Sequence, residues 1–325
     1  MINAILQVAN CIKKYDLIKS NEEIIVAYSG GKDSLFLCYA LTNLGYKIIP
    51  VIIDIGYNID WSLAISNLER MNLRCELIDL NYMAHNLKDI YSEVTNYFEK
   101  VKIIKNSKGQ MQTTICTPCY NAKHLILCEL SKKLKVDKVA FGHHGTDAIA
   151  SMLKSFYLYK DRWIYGNKKF NIDNIYKLVD NSLKNYRDIK IFKNSLYLDI
   201  ENLIMQGKVS TDEPPLSLTK EGVRFIRPLF YCSEKEVKSS ELVTNLNVTQ
   251  SECSYKFRIN SKYTTREYIQ QIILNSSLNL SVYKELHSLV QKGLNSDGTS
   301  MFDARRNRNF ILGFNYKNDG LCQKL

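Results

Sequence analysis

Apolar and polar positions alternate along this chain with two periods, and the period changes at definite places. The first sixteen residues, MINAILQVANCIKKYD, repeat at helical spacing and put Ile2, Ile5, Leu6, Ala9 and Ile12 on one face. Ile24–Tyr28 is a short apolar run that predicts a strand, followed by a glycine turn and a helix from Ser34 to Leu44. Lys47–Asp54 predicts a second buried strand and Asp60–Met71 a helix. Cys75–Leu80 predicts a third strand and Asp137–Gly142 a fourth. Between those two lie a helical pattern at Asn86–Phe98, a polar hinge at Asn106–Gln112 and a helix at Cys119–Leu134. Strands alternating with helices predict a doubly wound α/β fold, with a mostly parallel sheet covered on both faces. Ligands of such sheets bind beyond the carboxyl ends of the strands.

The texture changes after Phe156. Residues 157–213 are rich in Asn, Lys, Tyr and Asp with weak periodicity, and are expected to form an insertion, assigned as helical. A strand at Val223–Pro228 and a helix at Ser233–Val243 return to the first pattern, so 21–156 and 214–258 together are expected to build the catalytic domain. Thr264–Asn275 and Leu280–Gly293 predict a helical extension over 259–325, ending in a basic tail.

Composition narrows the class. At 325 residues, with 45% hydrophobic and 24% charged positions, the chain can bury a large core. The balance of 44 Lys+Arg against 33 Asp+Glu gives +11. That excess fits a polyanionic partner such as RNA, and it fits equally a codon bias towards Lys, Asn, Ile and Tyr. It is uneven: residues 251–325 hold 11 Lys+Arg against six Asp+Glu, while 155–222 hold 11 against nine. No stretch has the roughly 18 apolar residues a membrane span requires, and the start lacks the pattern of a secretory signal. Nine cysteines, mostly inside hydrophobic runs, suggest a reducing compartment rather than a disulfide scaffold, so a cytoplasmic location is expected.

The strongest chemical signal is VAYSGGKDSL, residues 26–35. A buried strand ends, two glycines turn without obstruction, and a helix begins beside a lysine and two hydroxyls. Amides of the turn and of the helix start then converge with the positive end of the helix dipole, which makes an oxyanion cradle. The spacing is neither that of a Walker A loop nor GxGxxG. The second signal is CTPC, Cys116 to Cys119, with Lys123 one turn further along. Two thiols at this spacing can share a metal, form a redox disulfide or carry no function. Metal binding needs more ligands, for which Cys253, Cys232 and Cys128 are the available thiols.

The segment SGGKDS resembles the PP-loop of the ATP pyrophosphatases, enzymes that split ATP between the α and β phosphates. The resemblance implies an adenine nucleotide alpha hydrolase-like fold. It also implies that Ala27, Ser29, Gly30, Gly31, Lys32, Asp33 and Ser34 hold ATP, with Asp54, Gly142 and His143 near the nucleotide. With IRPLFYCSEKEV at 226–237, the CxxC, the segment GHHGTD at 142–147 and a later cysteine, the chain is similar to the tRNA 2-thiolation branch, the 2-thiocytidine synthetase and related 2-thiouridine enzymes. That branch implies Cys116, Cys119 and Cys253 as ligands of a 4Fe–4S cluster, and Cys232 as a buried thiol. It also implies Mg²⁺, and catalytic roles for Lys32, Asp33, Ser34, Lys123 and Asp147.

Two departures stand out. Thr146 replaces the first Asp of the usual pair, leaving Asp147, and His144 is assigned a structural part. The insertion and the tail are foreign to the branch. The function expected is adenylation of a base carbonyl followed by replacement of its oxygen with sulfur, on tRNA. Thiolation of a small molecule and a non-catalytic nucleotide or cluster sensor are the alternatives. A cysteine desulfurase or free sulfide would donate the sulfur, and the thiolation relatives suggest a homodimer.

Overall fold

The computed structural model describes residues 2–56, 59–103, 116–148, 164–165, 168–169, 214–219, 221–240 and 245. The described elements begin with helix α1 (Ile2–Lys14), strand β1 (Glu23–Ala27), helix α2 (Lys32–Asn43) and strand β2 (Lys47–Ile53). There follow α3 (Ser62–Glu69), β3 (Glu76–Ile78), α4 (Leu80–Asn86), α5 (Lys88–Ile103), α6 (Cys116–Leu134) and β4 (Lys138–Phe141). After the two-residue strands β5 (Ile164–Tyr165) and β6 (Lys168–Lys169) come β7 (Leu216–Leu218), β8 (Arg224–Ile226), a 3-10 turn at Pro228–Tyr231 and helix α7 (Glu234–Lys238).

Six strands form one sheet in the order β3-β2-β1-β4-β8-β7. All neighbours are parallel except the β7–β8 edge pair. The order reverses beside β1, so the loops after β1 and β4 open at the same carboxyl edge, the place such folds reserve for ligands. Register fixes the neighbours there: Ala27, the last residue of β1, pairs with Val51 of β2 and with Phe141 of β4.

Central strands read as continuous apolar runs because both faces are covered: Ile24, Ile25, Val26, Val51, Ile52, Val139 and Ala140 are all buried. On one face Ile25, Val51 and Val139 pack with Val94 of α5 and Ala122, Ile126 and Leu130 of α6. Near the β8 edge α1 meets the 3-10 turn. Cys11 Sγ donates to the Arg227 carbonyl at 3.8 Å, and Cys232 Sγ to the Ala4 carbonyl at 3.6 Å. The Tyr15 and Tyr231 rings lie 6.0 Å apart, and Tyr231 Oη donates to Tyr15 Oη at 3.3 Å.

The parallel α/β reading holds, with local corrections. The helical pattern expected at Asn86–Phe98 is met by α5; the short helix before it, α4, was not expected, and Asp79 caps it through Tyr82 N–H at 2.6 Å before the chain breaks at Leu87. Helix α6 starts at Cys116, so CTPC is its first turn rather than a loop before it. The edge strand β7 escaped the sequence reading, since three residues are too few to show a period. In the insertion, the described residues are β5 paired antiparallel with β6, where helix was expected. The polar hinge and the C-terminal extension lie outside the described residues.

Two compact units divide the chain: 1–144 with 215–257 and 322–325, and 145–214 with 258–321. The sheet belongs to the first. Among the described residues no helix is long and apolar enough to cross a membrane.

Candidate functional site

The glycine loop leaves β1 at Tyr28 and folds on its own two serines. Ser34 Oγ donates to the Gly31 carbonyl at 3.1 Å, and Ser29 Oγ lies 3.1 Å away as its hydroxyl partner. Ser29 N–H donates to Ser34 Oγ at 3.1 Å, and Gly31 N–H to Ser29 Oγ at 3.4 Å. Gly30 has φ +74°, a conformation that side-chain-bearing residues rarely adopt. Gly31 caps α2 without any side-chain hydrogen bond, so the positive end of the helix faces the loop.

The second glycine of the site works differently. A Cβ on Gly142, just after β4, would meet Ser34 N at 2.7 Å and Asp33 C and Ser34 Cα at 2.9 Å, all backbone. Only a residue without a side chain lets the β4 loop touch the start of α2. Gly142 therefore holds the loop in place by contact, a role that its spacing in the sequence did not reveal.

Charge is concentrated around Lys32. Its Nζ lies 2.8 and 2.9 Å from the two oxygens of Asp33 and 3.5 Å from Glu234 Oε1. Lys238 Nζ reaches the same Glu234 oxygen at 2.8 Å, and buried His144 brings Nε2 to 3.7 Å from Asp33 Oδ1. Burial alone would raise the Glu234 carboxyl. The Lys238 hydrogen bond and the charges of Lys32, Lys238 and His144 outweigh it and hold the group below the ordinary carboxylate range. Glu234 was absent from the expected site residues, although the EK of its segment had been noted. Its helix is set by a capping box, Ser233 with Glu236, and Gln7 Nε2 of α1 donates to Glu236 Oε1 at 2.9 Å.

Asp54 follows β2, and its Oδ1 accepts from Gly56 N–H at 2.9 Å, closing a turn at the same carboxyl edge. His143 follows Gly142, its ring stacked on Phe141 with centroids 5.9 Å apart and planes 13° apart. Thr146 and Asp147 are buried on helical residues 145–148 of the second unit.

The cysteines separate by environment. Cys11, Cys38, Cys128 and Cys232 are buried, and burial pushes the Cys11, Cys38 and Cys232 thiols far up and Cys128 to about 11. Such thiols are poor ligands, so Cys232 is the buried thiol expected of it. Cys75 is partly exposed but also raised, to about 11, by burial. Cys119 is partly exposed in the first turn of α6, and Lys123 lies one turn beyond it on the same helix. The Cys116 side chain and all of Cys253 lie outside the described residues. Among the described residues no three His, Cys, Asp or Glu side chains are grouped for a metal.

A row of rings joins the two halves of the site. From His143 it passes to Phe141, then to His124 of α6 at 5.6 Å, then to Tyr120 at 3.7 Å. Phe225 closes it from the side, 4.6 Å from His124 and 5.0 Å from Phe141. The row starts next to Gly142, which touches the glycine loop, and ends next to Cys119.

No family model matches the chain. It is 28% identical over 153 residues to a tRNA-cytidine(32) 2-sulfurtransferase of Geotalea uraniireducens, covering 45% of this chain and 54% of that protein. It is 25% identical over 249 residues to a tRNA-5-methyluridine(54) 2-sulfurtransferase of Pyrococcus horikoshii, covering 77% and 61%. The chain thus spans about half the length of curated relatives that it matches. Among solved structures, the U34-tRNA thiolase NcsA of Methanococcus maripaludis, solved with its 4Fe–4S cluster, matches with a TM-score of 0.51 at 19% identity, covering 89% of this chain and 76% of that one. That likeness is one of fold. The homologues are enzymes named for tRNA sulfur transfer, and the resemblance read from the motifs is borne out.

Proposed function

We propose that this chain, a relative of the tRNA 2-sulfurtransferases, uses ATP to replace a base carbonyl oxygen of tRNA with sulfur. What supports the reading is the row of rings that runs from His143, next to Gly142 and the glycine loop, to Tyr120, next to Cys119 in the first turn of α6.

In the first step the loop amides, the α2 start and Lys32 take the β and γ phosphates of ATP. The carbonyl oxygen of the base attacks the α phosphorus, the bond to the bridging oxygen breaks, and pyrophosphate leaves with its charge held by Lys32. Ser34 and Ser29, tied to each other, keep the loop in the shape that presents its amides. In the second step a sulfide attacks the adenylated carbon, the C–O bond breaks, AMP leaves and a thiocarbonyl remains. When bound by Cys116, Cys119 and Cys253, a 4Fe–4S cluster supplies that sulfur at the activated carbon. Lys123, one turn beyond Cys119, offers a cation to the departing AMP phosphate. Asp54, which closes the turn after β2 at this carboxyl edge, is the acidic residue proposed to lie near the nucleotide.

The test is pyrophosphate release from ATP on addition of unfractionated bacterial tRNA and sulfide, with nucleoside mass spectrometry of the product, on anaerobically purified protein. Wild type releases pyrophosphate and makes a thionucleoside. Lys32→Ala lowers release at least a hundredfold, as expected for a lost charge-stabilising group. Cys253→Ser keeps ATP binding and makes no thionucleoside. A Cys253→Ser enzyme that thiolates at the wild-type rate overturns the cluster part, and pyrophosphate release that does not depend on tRNA overturns the acceptor.

A further inference from the structure

The row of rings described above does more than pack. Its inner members are covered: Phe225 is fully buried, and Phe141 and His124 are partly buried among Ile126, Leu130 and the sheet. Tyr120 is different, an aromatic residue with 37% of its surface exposed, in the first turns of α6 directly after Cys119. The Tyr120 ring lies 3.7 Å from that of His124, centroid to centroid, so its tilt is braced from below. His124 in turn is held edge-on by Phe225 and at a tilt by Phe141, which has the Arg227 guanidinium 5.8 Å from its ring centroid. An exposed ring stabilised by a second, third and fourth ring is a rigid plane, and such a plane costs little entropy when another flat molecule lies on it.

We infer that Tyr120 is the stacking platform for the acceptor, and that the acceptor is a nucleobase taken out of its stack in RNA. The inference rests on the thiolation reading above and names what that reading leaves open, namely how the base is held. Three features converge on it. The row places Tyr120 next to Cys119, at the end of a path whose other end adjoins Gly142 and the glycine loop, so a base on this ring lies beside Cys119. A base inside a helix cannot present its carbonyl oxygen to a phosphorus atom, so enzymes acting on bases draw them out and stack them on apolar or aromatic groups. Lys123 follows on the same helix, a cation for the adjoining phosphate. The phenol oxygen has no part in the proposal; only the ring does.

This makes a distinct set of expectations. Tyr120→Ala raises the KM for tRNA about ten- to hundredfold in the pyrophosphate assay, the loss typical of one base–aromatic stack. The Kd for ATP is unchanged, and Tyr120→Phe and Tyr120→Trp keep the wild-type KM within about threefold. A separate signal needs no turnover: a single-stranded RNA carrying one 2-aminopurine loses fluorescence on stacking, so wild type quenches it at saturation and Tyr120→Ala bound at saturation does not. Three results overturn the inference: equal KM and equal quenching in Tyr120→Ala; a Tyr120→Phe enzyme as impaired as Tyr120→Ala; or loss of ATP affinity in step with tRNA affinity. If wild type quenches the RNA and Tyr120→Ala does not, yet no tRNA-dependent pyrophosphate appears, the platform stands and the thiolation reading falls. If wild type releases pyrophosphate with tRNA and the Tyr120→Ala enzyme matches it in KM, the reverse holds.

Discussion

Lys32 is shared between two carboxylates in this structure, Asp33 beside it in sequence and Glu234 some 200 positions away. A phosphate arriving at the loop competes with both for one ammonium group. Asp33 is flexible in this respect, being 31% exposed, while the Glu234 side chain is 11% exposed and held by Lys238 as well. Glu234 therefore acts as a positioning residue that keeps Lys32 over the loop. Its carboxyl pKa is depressed on folding, so its stabilising effect is complete above the ordinary carboxylate range and lost as pH falls through the lower folded value. We expect Glu234→Gln to cost about 1 kcal/mol at neutral pH, between an exposed and a buried pair, and to flatten the acid side of the stability profile. Urea denaturation at pH 7 and pH 4 measures both; an unchanged difference between the two pH values would sink the assignment. The EK pair was visible in the sequence, but its partner was not, because no local pattern records that a short helix after β8 packs against α2.

At the scale of elements, the site is made by three contacts between pieces far apart in the chain. Gly142 lets the end of β4 touch the start of α2. The α1 helix grips the 3-10 turn through Cys11, Cys232, Tyr15 and Tyr231, and so positions α7. Helix α6 approaches β4 through the rings of His124 and Phe141. Gly142→Ala pushes a methyl group into backbone that cannot rotate away. It is expected to cost roughly 1–3 kcal/mol and to lower ATP affinity more than tenfold, while the sheet remains folded by circular dichroism. Wild-type ATP affinity in that variant would show that β4 and the loop do not depend on each other. The βα turn itself was legible, since an apolar strand, two glycines and a helix start in register have few other meanings. Helix α4 has no counterpart in the linear pattern, because a helix of about two turns is too short to show a clear period.

Over the whole molecule, acid-base behaviour is set by what the core encloses. Burial raises the thiols of Cys11, Cys38, Cys232, Cys128 and Cys75, and the phenols of Tyr15 and Tyr28. Each stays neutral in the folded chain at a pH where the unfolded chain ionises it. Their stabilising effect is thus full below the unfolded thiol value of about 8.5 and falls as pH rises, by up to about 1.4 kcal/mol per unit for each thiol. Stability should be level from pH 7 to 8 and decline steeply by pH 10. Guanidinium titrations at those three values read it directly, and a level profile to pH 10 would mean that the thiols are not enclosed as described.

The sequence by itself determined the parallel sheet, the glycine loop between β1 and α2, and the CxxC pair. Each is written in residues adjacent in the chain: a period of two or 3.6, glycines that a turn requires, a CxxC spacing. Tertiary structure decided the rest. Which carboxylate meets Lys32, which glycine is needed for contact rather than for φ, which cysteines are enclosed and which ring is left at the surface all depend on packing between distant segments. Side-chain neighbours across a sheet edge follow from register and layer order, and a linear pattern does not encode those. Glu234, Gly142 and Tyr120 are ordinary residues in the sequence; the fold gives each of them its partner.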